Sequence, residues 1–120
     1  MIAGGVGLAP INALIEHYLR QPEDRRIALY WGAAGRDDLY MHERYLALSA
    51  AFPRFRYVPV LSDDNASHGF RQGIVHEAVA SDFAEYIDAQ IYMSGPSEMV
   101  AASRAALLRL GGRLERMLSD

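Results

Sequence analysis

The chain has 120 residues, 12 Lys and Arg against 15 Asp and Glu for a formal charge of −3, 51% hydrophobic and 22% charged residues, and five prolines; this suits one folded domain and not a disordered segment. The charges are scattered, which leaves no basic stripe for a nucleic-acid backbone and no polybasic patch for a membrane surface. The lack of cysteine excludes disulfides, cysteine-ligated zinc, an iron–sulfur cluster held by this chain and a thiolate nucleophile. No apolar run approaches the roughly 18 to 20 residues of a membrane span, and the start lacks the basic-then-apolar pattern of a signal peptide, so a cytoplasmic protein is expected.

In chain order, Met1-Ile2-Ala3 is a strand that has barely begun before Gly4-Gly5-Val6-Gly7, as if the chain started mid-strand. From Pro10 to Arg20, Ile11, Leu14, Ile15, Tyr18 and Leu19 recur at helical spacing, with proline in the first turn. Ile27 to Trp31 is a continuous apolar run, the pattern of a strand buried on both faces, and stops at Gly32. Asp37 or Asp38 is the expected cap of a second helix carrying Met41, Tyr45, Leu48 and Phe52, closed by Pro53. Phe55 to Leu61 reads as a strand, Ser62 to Gly69 as a polar loop, Ile74 to Ala80 as a short helix and Gln90 to Met93 as a strand. Met99, Ser103, Ala106, Leu107 and Leu110 mark a last helix, Gly111-Gly112 its left-handed stop, and Leu114 to Leu118 a last strand. Strict alternation predicts a three-layer α/β/α domain over residues 1–120 with a parallel sheet, binding its ligand beyond the carboxyl ends of the strands.

Gly5-Val6-Gly7-Leu8-Ala9-Pro10 follows a strand and opens a helix, where glycines let a pyrophosphate approach backbone amides at the positive helix end. The third glycine of the usual fingerprint is Pro10, and Trp31-Gly32-Ala33 supplies no carboxylate at the second strand's end, so a tight turn that merely joins strand to helix stays open. His17, His42, His68 and His76 show no ligand spacing, so no metal is expected. No serine sits in a Gly-x-Ser-x-Gly turn, against a hydrolase, and Trp31 and the tyrosines read as core and cleft lining.

Four segments, in order, resemble the NAD(P)-binding domain of ferredoxin–NADP reductase-like flavoenzymes. Gly4 to Pro10 is similar to that family's Gly-Gly-Thr-Gly-Leu/Ile-Ala-Pro turn, Leu29 to Ala33 and Pro59 to Ser62 to its second and third strand ends, and Ile91 to Val100 to its Cys-Gly-Pro-x-x-Met segment. The similarity is greatest to reductases of bacterial oxygenases and deoxysugar pathways, of the CDP-6-deoxy-glucoseen reductase kind. The resemblance implies a five-stranded sheet in the order 3-2-1-4-5 and a nucleotide-binding role. Gly4, Gly5, Val6, Gly7, Leu8 and Pro10 would form the cofactor turn, with Gly5 to Gly7 on the pyrophosphate. Gly32 and Ala33 would line the ribose path, Ser94, Gly95 and Pro96 would position the nicotinamide, and Met99 would pack beneath that loop. Ser94 stands where the family has a catalytic-site cysteine, and Val6 where it often has threonine, changes expected to affect rate more than binding.

NADPH-specific relatives carry arginine after the third strand, whereas Ser62-Asp63-Asp64-Asn65 offers two carboxylates, which favours NADH; the alternative is that these are simply turn residues, and Arg71 lies close in sequence. The family's flavin barrel, with its Arg-x-Tyr-Ser segment, has no counterpart here, and relatives continue to a terminal aromatic segment beyond the position of Asp120. The expectation is therefore a fragment of a longer reductase, inactive alone. FAD or FMN would sit on a partner domain and an iron–sulfur protein or domain would accept electrons. A non-catalytic nucleotide-binding or interaction domain is the alternative, with Val6 and Ser94 as marks of lost chemistry.

Overall fold

The computed structural model describes residues 1–5, 8–22, 25–63 and 70–119. Six parallel strands form one sheet in the order β4-β3-β2-β1-β5-β6. They are β1 Ile2–Gly4, β2 Ile27–Ala33, β3 Phe55–Leu61, β4 Arg71–Gln72, β5 Ile91–Ser94 and β6 Met117–Ser119. The helices are α1 Leu8–Arg20, α2 His42–Ala51, α3 Val75–Asp82 and α4 Ser97–Arg109. Without β4 the order is the expected five-stranded one. The sixth strand pairs Arg71 and Gln72 with Val60 and Leu61, and two residues are too few to leave a periodicity in the sequence.

The central strand β1 is short but fully buried. It pairs Ile2, Ala3 and Gly4 with Tyr30, Trp31 and Gly32 on one side, and Ile2 and Ala3 with Met93 and Ser94 on the other. Burial on both faces explains the unbroken apolar run of β2, since each face supplies a separate core. On one face α1 and α2 bury Leu8, Ile11, Ile15 and Tyr45 with Trp31 and Leu61. On the other, α3 and α4 bury Val75, Val79, Val100 and Leu107 with Ile2, Tyr30 and Met93.

Three local expectations change. The Asp38 carboxylate accepts from Gly35 N at 3.1 Å and closes a short 3-10 turn over Arg36–Asp38, and α2 begins at His42 without a side-chain cap. A further 3-10 turn over Phe83–Tyr86 follows α3. The last strand is shorter than Leu114 to Leu118: Leu114–Arg116 turns, with Arg116 N donating to Arg113 O at 3.0 Å, and only Met117–Ser119 pairs with β5. As expected, α4 ends at glycine. Gly111 has φ +93°, and Gly112 N reaches back to Leu107 O at 2.8 Å.

Candidate functional site

The carboxyl ends of β1 and β5 lie side by side, and glycine makes this possible. Gly95 has φ +153°, and a methyl group there would fall 2.9 Å from Gly4 O and 3.1 Å from Gly4 N. A methyl on Gly4 would in turn meet Met99 Sδ at 2.5 Å. The two strand tips therefore touch backbone to backbone, with Met99 packed beneath them from the first turn of α4. Gly5, exposed with φ +58°, follows at once, in a conformation that side chains rarely adopt; its Cβ position would lie 3.7 Å from Pro96 Cδ. Leu8 opens α1 and is buried, while Pro10 is exposed in its first turn. Val6 and Gly7 lie outside the described residues.

Ser94, the last residue of β5, is 4% exposed. It borders an apolar groove of about 400 Å³ between α1 and the β5–β6 edge, walled by Pro10, Ile11, Leu14, Tyr92 and Leu118. A larger cavity of about 960 Å³ lies at the amino-terminal ends of the strands among Tyr18, Arg25, Arg26, Arg54 and Tyr92. It lies at the opposite edge of the parallel sheet from the one that binds nucleotides, and no glycine among the described residues lines it.

At the end of β2, a methyl on Gly32 would clash with Val75 Cβ at 2.7 Å, so its bareness admits α3 against the sheet. Ala33 is half-buried beside it. The turns after β2 and β3 run together: Ser62 N donates to Ala33 O at 3.0 Å and Asp63 N to Ala34 O at 2.9 Å. Both Ser62 and Asp63 are exposed at this edge; Asp64 and Asn65 lie outside the described residues. The structure thus gathers Gly4, Gly5, Ser94, Gly95, Pro96 and Met99 at one place and Ala33, Ser62 and Asp63 at a second, Ala33 one strand away on β2 and Ser62 and Asp63 two strands away past β3.

Arg71 is committed elsewhere. Its guanidinium binds both Asp82 oxygens at 2.6 and 3.0 Å, Ala78 O at 3.2 Å and Ser81 Oγ at 3.2 Å, all on α3. Arg36, which sequence reasoning passed over, is exposed beyond the end of β2, with its Cζ 5.3 Å from the ring centre of Phe70. Its position just past a strand-end glycine segment was the available signal. His42 bonds Tyr57 Oη through Nδ1 at 2.9 Å. Among the described residues no group of three His, Cys, Asp or Glu converges on one point, and no helix is long and apolar enough to cross a membrane; His68 is outside them.

Comparison with known proteins identifies the family of this fold. The family model of the oxidoreductase NAD-binding domain matches residues 1–105. The chain is 31% identical over 121 residues to the NAD(P)H-flavin reductase of Vibrio harveyi, covering 100% of this chain and 51% of that protein. It is 38% identical over 117 residues to the phenol 2-monooxygenase reductase component DmpP of Pseudomonas sp. strain CF600, covering 94% of this chain and 32% of that protein. Among solved structures, the Amycolatopsis cytochrome P450 reductase GcoB superposes with a TM-score of 0.84 at 31% identity, over 98% of this chain and 35% of that one. The chain thus spans about half or less of the length of these relatives.

Proposed function

The chain belongs to the oxidoreductase NAD-binding domain family, and on that premise we propose that it is the NADH-presenting module of a flavin-dependent reductase. The observation that carries this reading is the backbone contact between Gly4 and Gly95, which sets an exposed glycine turn, at the head of a 13-residue helix, next to the segment Ser94–Pro96. The bare, left-handed Gly5 leaves room for an anionic group at the positive end of α1. The residues present therefore fit a dinucleotide.

In this reading Gly4, Gly5, Val6, Gly7, Leu8 and Pro10 form the cofactor turn, with Gly5 to Gly7 on the pyrophosphate, and Ala33, Ser62 and Asp63 border the adenosine ribose. Asp63 accepts hydrogen bonds from a free ribose diol and repels a phosphate placed there, which favours NADH. Gly32 serves the site through α3, by letting Val75 pack on β2. Gly95 and Pro96 fix the position of the nicotinamide, and Ser94, as the catalytic-site residue, offers a small hydroxyl beside it without filling the space. Met99 supports both tips from below. A bound reduced nicotinamide supplies hydride to an acceptor, and the chain's contribution is orientation and exclusion of misplaced poses.

The relatives named as flavin reductase and as reductase component of an oxygenase support a flavin-bearing domain, with FAD or FMN, as the hydride acceptor. They also support an electron-accepting protein or domain, such as an iron–sulfur one, beyond it. The test is calorimetric titration of the folded chain with NADH and ADP-ribose at fixed ionic strength. Saturable binding of both is expected, weakened about tenfold or more in Gly5→Val, since a branched side chain both strains a positive φ and fills the turn. No binding by a chain with intact circular dichroism would overturn the reading and leave a fold kept for contacts alone.

A further inference from the structure

We propose that Met99 is an oxidation site: a hydroperoxide converts its thioether to the sulfoxide, and the product loosens the contact between Gly4 and Gly95 on which dinucleotide binding depends. The inference rests on the dinucleotide reading above and adds to it a chemical modification beneath the same turn. The chain has no cysteine and five methionines, so thioethers are its only sulfur groups. Met93 and Met117 are buried in the core at 1% and 6% exposure, which shields them from solutes. Met1, Met41 and Met99 are half-buried, and of these Met99 is the one that meets Gly4 and Gly95. With serine at position 94, no thiolate beside the turn consumes an oxidant first.

The seat of the sulfur is narrow and apolar. Met99 Sδ lies 2.5 Å, and Cε 3.8 Å, from where a methyl on Gly4 would stand, and Cε lies 3.1 Å from the same position on Gly95. There is no room for an oxygen on the Gly4 side of the sulfur, and the rest of the side chain packs on the core of Val100, Leu107 and Met93. A sulfoxide is polar where the thioether was not. Left against apolar neighbours it lacks hydrogen bonds, a cost that draws the side chain out to water and takes the support from both strand tips. The reaction balances between the two reactants. A sulfur lone pair attacks one peroxide oxygen, the S–O bond forms as the O–O bond breaks, and the second oxygen leaves as water, so that sulfur loses the two electrons that the peroxide gains. The flavin-bearing domain of the reading above accounts for the oxidant, since a reduced flavin passes two electrons to dioxygen and releases hydrogen peroxide.

The test treats the folded chain and its Met99→Leu and Met41→Leu variants with graded hydrogen peroxide. Peptide mass mapping gives the sulfoxide at each methionine, and NADH calorimetry and urea unfolding compare each chain with its own untreated form. In the unaltered chain and in Met41→Leu, NADH affinity is expected to fall about fivefold or more, and the urea midpoint with it, in proportion to Met99 sulfoxide. In Met99→Leu the affinity should change less than about twofold on treatment, whatever its starting value. Methionine sulfoxide reductase should restore both readouts in Met41→Leu. If Met99→Leu does not fold, that recovery decides: affinity returning as Met99 sulfoxide disappears supports the proposal, and affinity that stays low overturns it. Met99 left unoxidised while Met41 reacts, Met99 sulfoxide with affinity unmoved, or equal losses in all three chains would overturn the proposal while leaving the dinucleotide site standing. If the untreated chain binds no NADH, the dinucleotide reading fails, and this inference with it.

Discussion

At the scale of single residues, Gly4 and Gly95 look alike in the sequence but are held by different neighbours. A methyl on Gly95 would strike the Gly4 backbone, which cannot move without parting β1 from β5, and would also have to adopt φ +153°. A methyl on Gly4 meets only the sulfur of Met99, the middle of a pliable side chain. Gly95→Ala is therefore expected to cost about 2–4 kcal/mol, and Gly4→Ala roughly 1–2 kcal/mol, in urea unfolding. An equal or reversed order would mean that the two tips are not in backbone contact. Gly4, Gly5 and Ser94 to Pro96 were legible as a candidate site because strand-to-helix turns display their glycines in order. The contact between them was not, since nothing in the sequence joins positions so far apart. Gly32 was legible as a special position, but the Val75 side chain that requires its bareness is revealed only by packing.

At the scale of elements, α3 is tied to three strands through Asp82. Its carboxylate receives Arg71 from β4 in a two-pronged pair and the Tyr30 hydroxyl from β2 at 2.5 Å, and Arg56 of β3 lies 3.6 Å away. The Arg71 hydrogen bond, with smaller help from Tyr30, holds the Asp82 carboxyl below its ordinary 3.8 despite partial burial. A carboxylate whose folded pKa is depressed contributes stability at pH values above the unfolded one, and that contribution is lost as pH falls toward the folded value. Asp82→Asn should therefore lower stability by about 1–3 kcal/mol near neutrality and make its decline below about pH 4 shallower than that of the unaltered chain. Unfolding free energies across that acid range check this; parallel curves would deny the network its role. None of this was readable beforehand. The long strands and amphipathic helices announce themselves by period, but β4 is two residues long and the Arg71–Asp82 pair follows from how α3 crosses the sheet.

At the scale of the whole molecule, both cores carry phenols. Burial raises the pKa of Tyr45 to about 12 and that of Tyr57 further; for Tyr30 burial acts first, aided by its bond to Asp82. A raised folded pKa means stability that is complete below the unfolded value of 10 and drains away as pH rises above it. The domain should thus unfold cooperatively in alkali, with tyrosinate absorbance rising together with loss of circular dichroism. Smooth ionisation near 10 by a chain that stays folded would show these rings to be accessible. The alternation of strands and helices made the parallel sheet legible, since right-handed crossovers leave few alternatives, and the family resemblance supplied its strand order. The edges were less so, as their short strands depend on neighbours already in place. The central strand carries one more consequence, which concerns time. β1 precedes the other strands of the sheet in the chain, yet it is completed only by β5, whose Met93 pairs with Ile2. Until β5 is made, the strand that will form the middle of the sheet has one of its two ledges missing, so the sheet can close only when most of the domain has emerged.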